Sequence, residues 1–279
     1  SAPTIPQPSP NGTRTFGRFE LRQLLGKSSA TMAWLALDTF SAREFTLNLP
    51  RVQPIDAPGL EAWLHSTRMA ARLDHPHLAP AAEIGLQDQW PYLAVDRRVG
   101  MTLGEWLRLH PRPTPEEAVA LLHQALEGLA FAHEAGAVHR DLQTHHLLVD
   151  ELGRLRLAAL DIVVEPTLAE AASGALQEAP GVAKRDQPLA TVLDPGHLRM
   201  RRDAAARDVL SMGLLLHHLL AGAPALDEAD TGLVMSRLPP HGRETVRLPW
   251  TTPYPLAEAL RAIVNRATAR QPRQRYLSA

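Results

Sequence analysis

The chain changes its hydrophobic period once, near Val99-Gly100, and that switch limits the folds open to it. Before it, residues 19–24, 32–37, 45–49 and 90–95 form short alternating or apolar runs. Side chains on a strand alternate between faces, so these runs predict strands lying on a core. One helix interrupts them, opened by Pro58-Gly59 and carrying Leu60, Trp63, Leu64, Met69, Ala70 and Leu73 on one side. After the switch, Thr102-Leu103-Gly104-Glu105 and Thr114-Pro115-Glu116-Glu117 have the reciprocal capping pattern that starts a helix. The second also has Pro at the first helical position, where a missing N–H costs nothing. Its helix carries Val119, Leu122, Ala125, Leu126, Leu129 and Ala130 at helical spacing and stops at Gly136. Residues 210–220 are almost wholly apolar and predict a buried central helix, and 256–269 predict an amphipathic one. Strands with one helix, followed by helices, predict an α+β fold in two lobes.

A hydrophobic share of 45% over 279 residues is enough for a substantial core. The net charge of −1 supplies no global field for nucleic acid or a membrane surface. With no cysteine there is no disulfide and no thiol chemistry, which fits a reducing compartment. Neither a membrane-spanning run nor a signal peptide is legible, so a cytoplasmic location is expected, alone or as the cytoplasmic part of a larger or membrane-tethered protein. Pro3, Pro6, Pro8 and Pro10 mark residues 1–16 as a flexible linker.

Several motifs then occur in a telling order. Leu73-Asp74-His75-Pro76-His77-Leu78 follows the first helix. His133-Glu134-Ala135-Gly136 precedes Val138-His139-Arg140-Asp141, Asp208-Val209-Leu210-Ser211-Met212-Gly213 comes later, and Pro272-Arg273-Gln274-Arg275-Tyr276 lies near the end. Together they resemble the catalytic domain of bacterial Hanks-type Ser/Thr protein kinases, from about Gly17 onward. The resemblance implies a bilobal kinase-like fold, with a strand-rich N-lobe over 17–97 and a helical C-lobe over 98–279.

The departures from the family pattern lie where charge must be handled. Of three phosphate-loop glycines only Gly26 remains, with Ser28 and Thr31 at the other places. Losing the glycines weakens nucleotide binding, and the backbone and hydroxyl donors of Ser28 and Thr31 keep it from being forbidden. Asn48 stands where the family's phosphate-binding lysine would be, and Ser66 where its glutamate partner would be. Losing both together avoids a lone buried charge. Gln143 replaces the catalytic-loop lysine, and His146 replaces the metal-binding asparagine, although magnesium prefers oxygen. Ala159-Leu160-Asp161 occupies the D-F-G position; Ala159 cannot bind metal, Leu160 can fill the apolar slot, and Asp161 comes two residues late.

The remaining family positions imply structural roles. His139, Arg140 and Asp141 read as the remnant of a catalytic loop, with His139 packing in the core against Leu160. Asp208 would bind backbone N–H groups of that loop. Arg275 could pair with Asp194 of Asp194-Pro195-Gly196. Adjacent His145 and His146 rarely share one ion, so no metal site is expected. Arg97 and Arg98 fall at the hinge, as solvated side chains or as contacts to a partner or a nucleotide edge. The long segment 161–194 could carry Thr167 or Thr191 as phosphorylation sites read by Arg140, with a short helix over 165–176. The implied function is that of a pseudokinase: a scaffold or allosteric regulator with a protein partner, no nucleic acid and no cofactor. The alternative is an atypical Ser/Thr kinase, with Asp141 as base and Asp161 as an improvised metal ligand; a third reading is a domain that binds ATP without magnesium and without turnover.

Overall fold

The computed structural model describes residues 14–28, 30–54, 56–158, 161–162, 195–222, 240–241, 245–246, 250, 252, 255, 257–269, 271–276 and 279, with backbone alone at 161–162, 195–201, 240–241 and 245–246. Six antiparallel strands form the upper lobe: β1 (Arg14–Phe16), β2 (Phe19–Lys27), β3 (Thr31–Asp38), β4 (Arg43–Pro50), β5 (Glu83–Gln87) and β6 (Trp90–Asp96), in the order β1-β2-β3-β4-β6-β5. The runs read as strands are strands because their alternate side chains fill one cluster: Phe19, Leu21, Trp34, Phe45, Leu47 and Tyr92 are all buried there. Edge-to-face contacts of Phe19 with Tyr92 (5.6 Å) and Phe45 (6.0 Å) fix the packing.

The sheet begins earlier than the expected linker boundary at 16. Phe16 is buried and meets Tyr92 edge-on at 5.5 Å, and Gly17 turns the hairpin at φ +57°. One apolar side chain and a glycine able to take that φ recruit residues 14–16 into the sheet.

Helix α1 (Ala57–Ala70) starts at Asp56, whose carboxylate accepts the Gly59 N–H at 2.9 Å. Its buried positions are Ser66, Thr67 and Ala70; of the expected stripe Ala70 is buried, and Leu60, Trp63, Leu64, Met69 and Leu73 are half-buried. The helix thus turns small and polar residues toward the cleft, while Trp63 packs half-buried against Leu93, Val95, Leu148 and Ala158 between the lobes.

The lower lobe holds α2 (Leu103–Leu109), α3 (Pro115–Glu134), α4 (Pro195–Ala221) and α5 (Glu258–Ala267). Short strands join them: β7 (Met101–Thr102), β8 (Ala137–Val138), β9 (Leu147–Val149), β10 (Leu155–Leu157), β11 (Asp161–Ile162), β12 (Pro240–His241) and β13 (Thr245–Val246). Both capping boxes form as read: Glu105 and Glu117 carboxylates each accept their cap's backbone N–H at 2.8 Å. The apolar run 210–220 lies inside α4, and its Met212, Leu219 and Leu220 join Leu129, Leu147 and Leu157 in one core. At Gly213 a Cβ would stand 2.7 Å from that of Ala267, so this glycine lets α4 and α5 touch closely. Among the described residues no helix is long and apolar enough to cross a membrane.

Candidate functional site in the interlobe cleft

The end of β2, the turn after it and the loop following β8 meet across the cleft. Two register shifts in β2, between Leu21 and Gln23 and between Leu24 and Gly26, bend its end downward. Gly26 then lies against His145 so closely that a Cβ would be 2.6 Å from the ring Nδ1. In this chain the surviving glycine makes room for an imidazole.

The turn after Gly26 closes on the loop aspartate. Asp141 Oδ2 accepts a hydrogen bond from Thr31 Oγ1 at 2.8 Å and a short one from Ser28 Oγ. Ser28 also binds its own turn, accepting the Thr31 N–H at 2.9 Å. The two hydroxyls expected to keep some donors for phosphate are thus both hydrogen-bonded to Asp141.

His146 completes the network. Its Nδ1 accepts the Gln143 N–H at 3.2 Å, so the proton rests on Nε2, which faces Thr31 Oγ1 at 3.1 Å. A consistent chain runs from His146 Nε2–H to Thr31 O–H to the Asp141 carboxylate. Burial, then the neighbouring His145 and His139 rings, hold His146 well below the ordinary imidazole range. Burial, then His139, push His145 down to about 4.

Beneath this layer, Asp208 is fully buried and accepts the backbone N–H groups of His139 and Arg140, both at 2.8 Å. That grip holds Arg140 at φ +63°, a backbone angle rarely adopted outside glycine. The fold role read for Asp208 is what the geometry gives it. His139 is buried and its Nε2 donates to Ala158 O at 2.9 Å; its expected partner Leu160 lies outside the described residues.

Asn48 is 3% exposed, and neither its amide oxygen nor its amide nitrogen has a hydrogen-bond partner. Ser66 is buried on the facing side of α1. A cavity of about 310 Å³ lies between Asn48, Trp63, Thr67, Leu93, His139 and Asp141. An unsatisfied buried amide costs roughly 1–3 kcal/mol. Asn48→Leu should therefore raise stability by about 1 kcal/mol in chemical denaturation, and a loss of that size would show that Asn48 has a partner in solution.

At the hinge, Arg97 lies under Thr46 and forms a bidentate pair with Glu105 of α2 (2.9 and 3.0 Å). The Arg97 guanidinium and the Thr102 N–H, against the opposing effect of burial, hold the Glu105 carboxyl below its ordinary range. Arg97 is thus an internal ion-pair member and neither solvated nor a partner or nucleotide contact; the eight-residue spacing to a capping-box glutamate is the sequence signal for it. Arg98, in contrast, is 79% exposed. Arg275 donates to Ala269 O at 2.7 Å, while Asp194 lies outside the described residues. Ala159, Leu160, Thr167, Thr191 and the helix expected over 165–176 also lie outside them; of Asp161 only the backbone is described, paired with Val138. Among the described residues no group of three or more His, Asp or Glu side chains is placed to hold a metal ion.

Two lobes joined at a hinge, with an aspartate-bearing loop held from below by a buried aspartate, define a protein-kinase-like domain. The protein kinase domain family matches residues 54–278, and the chain belongs to that family. It is similar to the serine/threonine-protein kinase PrkC of Bacillus subtilis, 25% identical over 272 residues covering 96% of this chain and 40% of PrkC. It is also similar to the serine/threonine-protein kinase PknB of Mycobacterium tuberculosis, 24% identical over 267 residues covering 94% of this chain and 41% of PknB. The chain thus spans about two fifths of the length of these relatives.

Proposed function

We propose that this kinase-family domain transfers no phosphate and works by recognition, as a scaffold or allosteric regulator for a protein partner in the cytoplasm. The observation that carries the reading is the Asp141 carboxylate, capped by Ser28 and Thr31 from the turn that in the family covers phosphate. A base must reach the hydroxyl it serves, and here Asp141 Oδ2 already accepts two hydroxyls of the chain itself. Three further features support the reading: Asn48 and Ser66 in place of an ion pair, His146 buried against Thr31, and Gly26 filled by His145. Losing one electrostatic stabiliser commonly lowers a rate by about 10²–10³, and several are absent together.

A second reading has specific support in the retained Asp141 and in the names of the relatives, which are serine/threonine kinases. Under it the hydroxyl cap opens, ATP enters with or without a metal, and Asp141 serves as base. Asp141→Ala separates the two. We expect phosphate incorporation into a generic basic protein substrate to be equal for wild type and variant, at background. Incorporation by the wild type that vanishes in the variant would overturn the recognition reading.

A further inference from the structure

Behind the hinge, on the side away from Asp141, four arginines gather around one groove of about 510 Å³. Arg43 comes from β4, Arg98 from the hinge, and Arg154 and Arg156 from the β9–β10 hairpin and β10. Only two carboxylates lie among them. Asp96 takes Arg43 and Arg98, the latter through Nε at 3.1 Å and Nη2 at 3.0 Å. Asp150 takes Arg154 Nε at 2.7 Å and Arg156 Nη1 at 3.4 Å, besides the N–H groups of Leu152 and Arg154.

The layering gives the groove its sign. The Asp96 and Asp150 side chains are only 13% and 11% exposed, whereas those of Arg98, Arg154 and Arg43 are 79%, 58% and 47% exposed. Carboxylates below orient the guanidinium groups; the solvent side is cationic, with Arg43, Arg98 and Arg154 outermost, while Arg156, 20% exposed, lies deeper with the two carboxylates. In a chain of net charge −1 this is a local asymmetry. The floor is Pro80, Ala81, Ala82 and Val99, short side chains that an extended backbone can approach. Arg154 and Arg156 also border a neighbouring hollow of about 640 Å³ with Arg72, Asp74, His75 and His77, so the cationic track continues past one residue's length.

We propose that this groove docks an extended acidic peptide segment of a partner protein, its carboxylates held by the outermost guanidinium groups, those of Arg43, Arg98 and Arg154. Asp96 and Asp150 hold these groups in place, and each guanidinium has five N–H donors, more than its own carboxylate takes. Alternating acidic residues on an extended chain face one side. Because Arg43 belongs to the upper lobe and Arg154 and Arg156 to the lower, the peptide bridges the lobes from behind. The inference goes beyond the recognition reading by giving the partner's chemistry. It stands on the groove alone, so its failure leaves the Asp141→Ala outcome untouched.

The test uses a fluorescein-labelled decapeptide of alternating Glu and Ala, titrated with the whole chain by anisotropy at low ionic strength and again at about 0.15 M salt. The comparison is between wild type, the groove variant Arg98→Glu/Arg154→Glu, and the control Arg108→Glu/Arg112→Glu, which changes net charge equally at exposed positions outside the groove. Saturable binding by wild type and control, weakened ~10-fold or more in the groove variant, is the expected result. Failure of the wild type to bind at low salt overturns the proposal. So does equal weakening in both variants, which would mean attraction by net charge only. Should Arg98→Glu/Arg154→Glu fail to fold, Arg98→Gln/Arg154→Gln gives the same reading, since it removes the cations without adding repulsion.

Discussion

Asp208→Ala should lower stability by roughly 3–5 kcal/mol, the largest effect of any single substitution in the cleft region. The side chain is fully buried, and its two oxygens accept three donors: the N–H groups of His139 and Arg140, and His133 Nε2 at 2.9 Å. Alanine would leave two backbone N–H groups buried without their acceptor and release Arg140 from its positive φ. For a chain of this size such a loss lowers the melting temperature by roughly 10 °C. Asp208→Asn, which keeps one acceptor oxygen, should lose about half as much. A cost below about 1 kcal/mol for the alanine variant would mean that the loop holds itself and that the aspartate is incidental.

The second large effect is loss of stability in mild acid. In the folded chain the His145 pKa is pushed down to about 4 by burial, then by His139; His146 moves in the same direction. Unfolded histidine titrates near 6.5. Between those values the unfolded chain binds the proton and the folded one does not. The stability contributed by the neutral rings is therefore fully present above about pH 6.5 and is lost as pH falls toward the folded value. For His145 alone the loss amounts to roughly 3 kcal/mol by about pH 4. The carboxylates whose pKa values are lowered in the folded chain, Asp38, Glu83, Glu105 and Asp150, contribute only nearer or below their ordinary range, so the window between isolates the imidazoles. Denaturation midpoints across this window should fall steeply for wild type and less so for His145→Gln. Equal slopes would place the acid sensitivity elsewhere.

Local signals made most of the architecture readable. Thr102–Glu105 and Thr114–Glu117 capping depends on four consecutive residues, and the β-alternation depends on side-chain period, so neither needs tertiary information. The hairpin at 14–17 was missed because one buried Phe16 among prolines and threonines gives no period to count. Positions such as Asn48, Ser66 and His146 could be found by their order along the chain, as substitutions at family sites. Their consequences could not. That Ser28 and Thr31 turn to Asp141, or that His145 occupies the space over Gly26, depends on bulges in β2 and on a loop more than a hundred residues away in sequence. The arginine groove was illegible for the same reason: Arg43, Arg98 and Arg154 come from separate segments, and only folding shows that they share two carboxylates.

The central claim is that the cleft no longer takes a metal-bound nucleotide. Thermal unfolding with excess ATP, in EDTA and then with Mg²⁺ or Mn²⁺, tests it most directly. A ligand at a hundred times its Kd adds about 2.7 kcal/mol, several degrees for a chain of this length. The expected result is a melting temperature that no divalent ion in the presence of ATP raises. A rise of several degrees that appears only when metal and ATP are both present would contradict it, and would return Asp141 to the role of a working base.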